Sequence, residues 1–297
     1  MARGVFVVSV GRSGSSAVAR ALNLLGLPLG AQEDLLQADR NNPLGYWESA
    51  SLARLNDRLI DALEGSLDVP PDLEAGWTER PPVVALRAEA REIFETVYGD
   101  RSVWLWKDPR NSLLLPFWLG LIEVDAAVVL VHRNPLDVAR SLQASNGLPK
   151  VHCLALWERY TKSALASSDG LPVFVASFEN LLDNTPAWCE QASRFLDAIC
   201  VPAAAGAVLG VEAFIDGKLA RRTATKADLE TDADLLSHQA ALYASLEKMR
   251  GFCPGFQASE IVDLELSAWS SALFAERRRV NRLEGLIRYA EGVLRTR

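Results

Sequence analysis

The chain has 297 residues, 49% of them apolar, and a formal charge of −7. That length suits one large domain or two small ones, and the acidic balance argues against a broad electrostatic hold on nucleic acid or an anionic membrane, although a local basic cluster can still take a small anion. Cys153, Cys189, Cys200 and Cys253 form no CxxC pair and show no zinc-ligand spacing, so reduced and mostly buried thiols are expected.

The first predicted element is the apolar run VFVVSV at 5–10. It is too short for a signal-peptide core or a membrane span, which suggests a soluble, cytoplasmic protein. The loop GRSGSS at 11–16 follows at once. A helical pattern then places Val18, Ala21, Leu22 and Leu25 on one face. Residues 33–98 are rich in Pro, Asp, Glu and Trp and suggest an insertion that shapes a substrate site. Three further runs, SVWLWK at 102–107, AAVVLV at 126–131 and PVFVAS at 172–177, are near-continuous rather than alternating, as in strands buried on both faces of a parallel sheet. Helical stretches lie between them, with Pro135 suited to a first helical turn. From Ala227 an acidic patch opens a mainly helical tail, which ends with Val280, Leu283, Ile287, Ala290 and Leu294 stepping by three and four. A packed C-terminal helix is expected there, with homo-oligomerisation through that helix as the alternative. The pattern implies an α/β layered fold with a central parallel sheet flanked by helices and a helical C-terminal tail.

The chemistry-bearing residues cluster at strand ends. Backbone N–H groups of a strand–turn–helix junction can point at an anion, and the helix dipole adds favourable potential. Ser13, Ser15 and Ser16 add hydroxyl donors, and Arg12 adds a planar fork. The lysine of a GxxxxGK[ST] nucleotide loop is absent. Arg133 in HRNPLDVARS falls at the end of another strand, where open α/β sheets bind ligands. Ser141 stands two turns into the next helix. Lys107 and Arg110 in KDPR follow a further strand. Glu48 sits in GYWES beside Tyr46 and Trp47.

Taken in order, GRSGSS, GYWES, KDPR, HRNPLDVARS and FIDGKLARR resemble the sulfotransferases that use 3′-phosphoadenosine 5′-phosphosulfate (PAPS), bacterial glycan- or surface-modifying members above all. The likeness covers roughly residues 4–222. It implies a P-loop-like fold, a catalytic domain over 1–225 with the 33–98 insertion, and a helical extension over 226–297. It also implies that Arg12, Ser13, Gly14, Ser15 and Ser16 wrap the 5′-phosphosulfate and that Arg133 and Ser141 hold the 3′-phosphate. Arg221 or Arg222 would close over the donor, because Gly217 and Ala220 stand where relatives carry proline and arginine. Glu48 would be the base, with Glu33 as runner-up. Lys107, shared with Arg12, would stabilise the transferred group. No metal is required, the product is 3′,5′-adenosine bisphosphate, and the acceptor is a hydroxyl, with Tyr46, Trp47 and Trp77 suiting a carbohydrate. Two other readings stand beside it: a P-loop small-molecule kinase using ATP and magnesium, and a catalytically inactive nucleotide-binding scaffold.

Overall fold

The structure, a computed structural model, describes residues 2–40, 42–204, 206–215, 224–260 and 263–295. Among them a five-stranded sheet runs in the order β2-β1-β3-β4-β5. The strands are β1 (Ala2–Val8), β2 (Val103–Lys107), β3 (Val124–His132), β4 (Val173–Ser177) and β5 (Gly251–Cys253). The first four are mutually parallel, and β5 pairs antiparallel with β4. The expected α/β layering is therefore present. The short antiparallel edge strand, supplied by the C-terminal stretch, is an addition to the expected parallel sheet.

The register explains the site. Val7 pairs with Lys107 and Val8 with Leu130, while His132 pairs with Ser177. The carboxyl ends of β1, β2, β3 and β4 thus finish along one edge. Strand order reverses between β1 and β3, which is where doubly wound sheets open a crevice for ligands.

Side chains of one strand alternate between two cores. Val5 and Val7 of β1 face one core with Leu105, Val129 and Phe174. Helices α1 (Ser15–Leu24) and, later in the chain, Thr185–Ala198 cover that face through Val18, Leu22, Trp188 and Phe195. Phe6 and Val8 face the other core with Trp104, Trp106, Val128 and Leu130. This second core is strongly aromatic: Phe6 meets Trp104 edge-on at 5.1 Å between centroids, and Trp106 meets Trp118 at 4.7 Å. Such pairs add about 0.5–1.5 kcal/mol each beyond the area they bury.

Helix α2 (Ala50–Ala62) and the helix Arg87–Tyr98 lie within 33–98, and they bury Leu52, Leu55, Leu59 and Phe94 in that same aromatic core. Trp77 belongs to it as well. The later part of 33–98 is thus packed core, while residues 42–48 line a cavity.

The C-terminal stretch is tied to the body through Glu158, which is fully buried on the helix Lys150–Ser167. Its carboxylate accepts from Gln239 Nε2 at 3.2 Å, Ser267 N at 3.0 Å and Ser270 Oγ at 2.7 Å. The last helix, Ala268–Arg295, buries Phe274. Farther along it Leu283, Leu286 and Ile287 are 49%, 60% and 58% exposed, so the apolar steps read from the sequence do not pack on this chain there. Cys153 and Cys189 are buried thiols, Cys253 is half-buried and Cys200 exposed. None of the described helices is long and apolar enough to cross a membrane.

Candidate active site

A cavity of about 810 Å³ opens at the strand edge over the β1–β3 reversal. Its floor is the loop between β1 and α1. Arg12 and Gly14 both have left-handed backbones, with φ of 70° and 84°, on either side of Ser13. Conformations that alternate in this way gather backbone N–H groups around a concavity that favours anions. α1 begins directly after, with no carboxylate in its first turn and no side-chain cap. Its first N–H groups are left for a ligand or solvent. A Cβ on Gly14 would stand 2.1 Å from Phe178, so glycine is required for space as well as for φ.

Ser15 and Ser16 line the cavity, and Ser13 does not. The Ser13 side chain is fully buried, and its Oγ has no hydrogen-bond partner among the described residues. The loop therefore offers Ser13 through its backbone alone, unlike the hydroxyl role expected of it. Ser16 Oγ accepts from Asn42 Nδ2 at 3.0 Å and from Lys107 Nζ at 3.3 Å.

Arg133 leaves the end of β3 at the other side of the crevice. Its Nη1 donates to the Arg12 carbonyl at 3.1 Å, and its guanidinium carbon lies 4.9 Å from the Phe178 ring centre. Burial works to lower its pKa, against the pull of Asp137 and Glu179. A charged group desolvated in this way gains from an incoming anion. The following helix, Pro135–Asn146, is capped by Asn134, whose Oδ1 accepts from Leu136 N at 3.0 Å. That cap fixes Ser141 on the cavity face, where its Oγ accepts from Arg12 Nε at 3.0 Å.

β2 delivers Lys107. Its Nζ donates to Glu48 Oε1, and both side chains are almost fully buried. Glu48 Oε2 stands 3.4 Å from Arg110 Nη1. Burial pushes the Glu48 pKa up, while Lys107 and Arg110 pull it down and Asp108 adds to the rise; the net direction is upward. The sequence pointed to raised basicity from apolar neighbours. The structure adds two cations that oppose it.

The structure thus brings Arg12, Gly14, Ser15, Ser16, Glu48, Lys107, Arg133 and Ser141 to one cavity. Glu33 lies elsewhere, exposed on a short turn at Gln32–Asp34. Arg221 and Arg222, with Gly217 and Ala220, lie outside the described residues. Of the three aromatic residues that suggested a sugar, Trp77 is in the core, while Trp47 lines the cavity and carries the Arg20 guanidinium over its ring at 4.8 Å. Tyr46 remains at the wall, its hydroxyl donating to Asp39 Oδ1 at 2.8 Å. Burial, then that bond, push its pKa up to about 12.

Asn42, Phe178 and Arg140 also line the cavity and were not expected. An apolar residue directly after a strand, such as Phe178, is a signal that could have been used. Asn42 carries none. In charge, Arg12, Arg40, Lys107, Arg133 and Arg140 face Glu48 and Asp137, so the cavity is cationic inside an acidic protein. Among the described residues no group of three or more His, Cys, Asp or Glu side chains is placed to hold a metal.

No protein-family model matches the chain, and no curated protein matches it. Solved chains with a similar backbone include two sulfotransferase domains. One is the sulfotransferase domain from the curacin biosynthetic pathway, 14% identical, covering 71% of this chain and 78% of that one, with a TM-score of 0.41. The other is the sulfotransferase domain from the Synechococcus PCC 7002 olefin synthase, 17% identical, covering 93% of this chain and 94% of that one, with a TM-score of 0.41. Likenesses of this size carry no chemistry, and the case for a function rests on the side chains of the cavity.

Proposed function

We propose that the protein transfers a sulfuryl group from PAPS to a hydroxyl acceptor. The observation that carries this is the pair of arginines, Arg12 and Arg133, at the ends of β1 and β3 around one cavity, each within reach of a hydroxyl or an N–H-rich loop. A donor with anionic groups at both ends of an adenosine needs two separated cationic subsites at neighbouring strand ends. The loop 11–16 would take the phosphosulfate, and Arg133 with Ser141 the 3′-phosphate. A loop without the usual lysine suits a donor that has no β,γ-bridging magnesium to organise.

In the step itself the acceptor oxygen attacks sulfur in line, the acceptor O–S bond forms, and the bond from sulfur to the bridging phosphate oxygen breaks. The electron pair leaves on the bisphosphate, and the acceptor's proton passes to Glu48. Lys107 and Arg12 stabilise charge on the transferred group and the leaving oxygen. The protein's share is positioning and preorganised charge. With Trp77 in the core, the aromatic support for a sugar acceptor reduces to Tyr46 and Trp47, and Arg20 already lies over the Trp47 ring. The proposal is accordingly a hydroxyl acceptor.

The test is incubation with sulfur-35-labelled PAPS and a panel of sugar, phenolic and aliphatic hydroxyl compounds. Label on an acceptor, with release of the bisphosphate, supports the proposal. Transfer from γ-labelled ATP with magnesium, and none from PAPS, would replace it with a kinase.

A further inference from the structure

Arg110 ends the KDPR stretch and immediately precedes the helix Asn111–Leu121. Lys107 and Pro109 line the cavity, and Arg110 does not. Its Nε and Nη2 donate to the two oxygens of Asp57 on α2, at 2.6 and 3.1 Å. Its Nη1 donates to Asp108 Oδ1 at 3.0 Å and stands 3.4 Å from Glu48 Oε2. Lys107 holds the other oxygen, Oε1.

One buried carboxylate is therefore held by two cations of different mobility. Lys107 is a point charge on a flexible stem and already reaches Ser16 Oγ in the anion loop. Arg110 is a planar fork locked on both sides. Asp108, one of its anchors, is buried and accepts from Asn56 Nδ2 at 2.9 Å. Asn56 in turn accepts from Trp118 Nε1 at 2.9 Å, inside the aromatic core. Besides these groups, Tyr46 faces Glu48 from its own segment.

We propose that Arg110, anchored by Asp57 and Asp108, is a positioning residue that keeps the Glu48 carboxylate charged and in place when Lys107 turns to the donor. This rests on the sulfuryl-transfer reading, in which Lys107 meets the transferred group and Glu48 takes the acceptor's proton. Lys107 must leave for Oε1 to become an acceptor. Arg110 must stay, because a buried carboxylate with no cation takes a proton from water before any acceptor arrives. The donor thereby opens its own base.

The experiment is a carbon-13 NMR titration of the full chain labelled at glutamate carboxyls, with the Glu48 resonance assigned by its loss in Glu48→Gln. In Lys107→Met, which imitates the departed lysine, Glu48 remains ionised near neutral pH. In Lys107→Met/Arg110→Gln its midpoint rises by a further 1–3 pH units, roughly the effect of an arginine beside a carboxylate. An unmoved midpoint in the double variant overturns the assignment, and so does a protonated Glu48 in Lys107→Met. That second result needs no Arg110 variant to fold. Calorimetric titration of the wild type with 3′,5′-adenosine bisphosphate separates the two levels. Binding together with an Arg110-independent midpoint sinks Arg110 alone, and absence of binding sinks the donor reading and this role with it.

Discussion

Arg12 Nε donates to Ser141 Oγ at 3.0 Å, joining residues 129 positions apart. The bond spans the crevice between the loop after β1 and the helix after β3. Arg133 crosses the same gap in the other direction to the Arg12 carbonyl. The two bonds tie the loop to the far side of the crevice, so the two proposed anion subsites support each other mechanically.

Removing Arg133 tests the proposed 3′-phosphate subsite. A hydrogen bond to a charged group contributes about 1.5–3 kcal/mol. Arg133→Ala should therefore weaken binding of 3′,5′-adenosine bisphosphate by about tenfold or more and that of 5′-AMP by much less, through the lost support of the Arg12 carbonyl alone. Arg133→Lys should not restore it, because a lysine loses both the fork and the stacking on Phe178. Calorimetric titration of both ligands checks this, and equal losses for the two would place the 3′-phosphate elsewhere.

Gly14→Ala should destabilise the protein. A left-handed backbone costs roughly 1–2 kcal/mol for a residue with a Cβ. The added methyl also meets the Phe178 ring at 2.1 Å, and overpacking of this kind costs about 1–3 kcal/mol. Urea unfolding should show the sum as a lower midpoint at unchanged slope. A midpoint equal to that of the wild type would mean that the loop relaxes freely.

Glu48→Gln should reduce donor turnover, to an acceptor or to water, by about 100-fold or more, the usual worth of a general base. Bisphosphate affinity should stay within about threefold. The variant should also unfold more readily, because Lys107 and Arg110 keep their charges and lose their shared anion. Glu33→Gln, on an exposed turn away from the cavity, should change neither property. Normal turnover in Glu48→Gln would remove it from the role of base.

The strand ends were legible because β1 to β4 are buried on both faces, and continuous β-branched runs advertise that burial. From them the placement of Lys107 and Arg133 at one edge followed. β5 was not legible, since Gly251–Cys253 is three residues long and owes its pairing to β4 rather than to its own pattern. The left-handed Arg12 was hidden because the sequence offers glycines on either side as the natural carriers of positive φ. Glu48 was visible as a carboxylate, but its pairing with Lys107 joins residues 59 apart, and no local pattern reports such a contact. Trp77 looked like a ligand aromatic because surface and core tryptophans are identical in sequence. Only its burial with α2 and its neighbours distinguishes it.

His132 gives the protein an acid sensitivity with a definite sign. It is buried at the end of β3, and burial, with repulsion from Arg250, lowers its pKa from 6.5 to about 3. Glu247, 3.5 Å away, is itself pushed toward its neutral form by burial and does not hold the ring charged. Above about pH 6.5 both folded and unfolded imidazoles are neutral. Below it only the unfolded chain takes the proton, so stability falls with pH by up to about 1.4 kcal/mol per unit until the folded pKa is reached. His132→Gln should lose less stability than the wild type between neutral pH and about pH 5, measured by urea unfolding. Parallel losses would show that the ring is charged in the folded protein.

On the sulfuryl-transfer proposal, the cavity accepts a nucleotide with a phosphate at both the 3′ and 5′ positions. Thermal unfolding with 3′,5′-adenosine bisphosphate, 5′-AMP, adenosine, and ATP with magnesium tests it most directly, because a ligand that binds only the folded state raises the melting temperature with its occupancy. The prediction is a clear upward shift with the bisphosphate, little with the others, and its loss in Arg133→Ala. A shift with magnesium–ATP alone, or none with the bisphosphate, would rule out a PAPS site in this cavity.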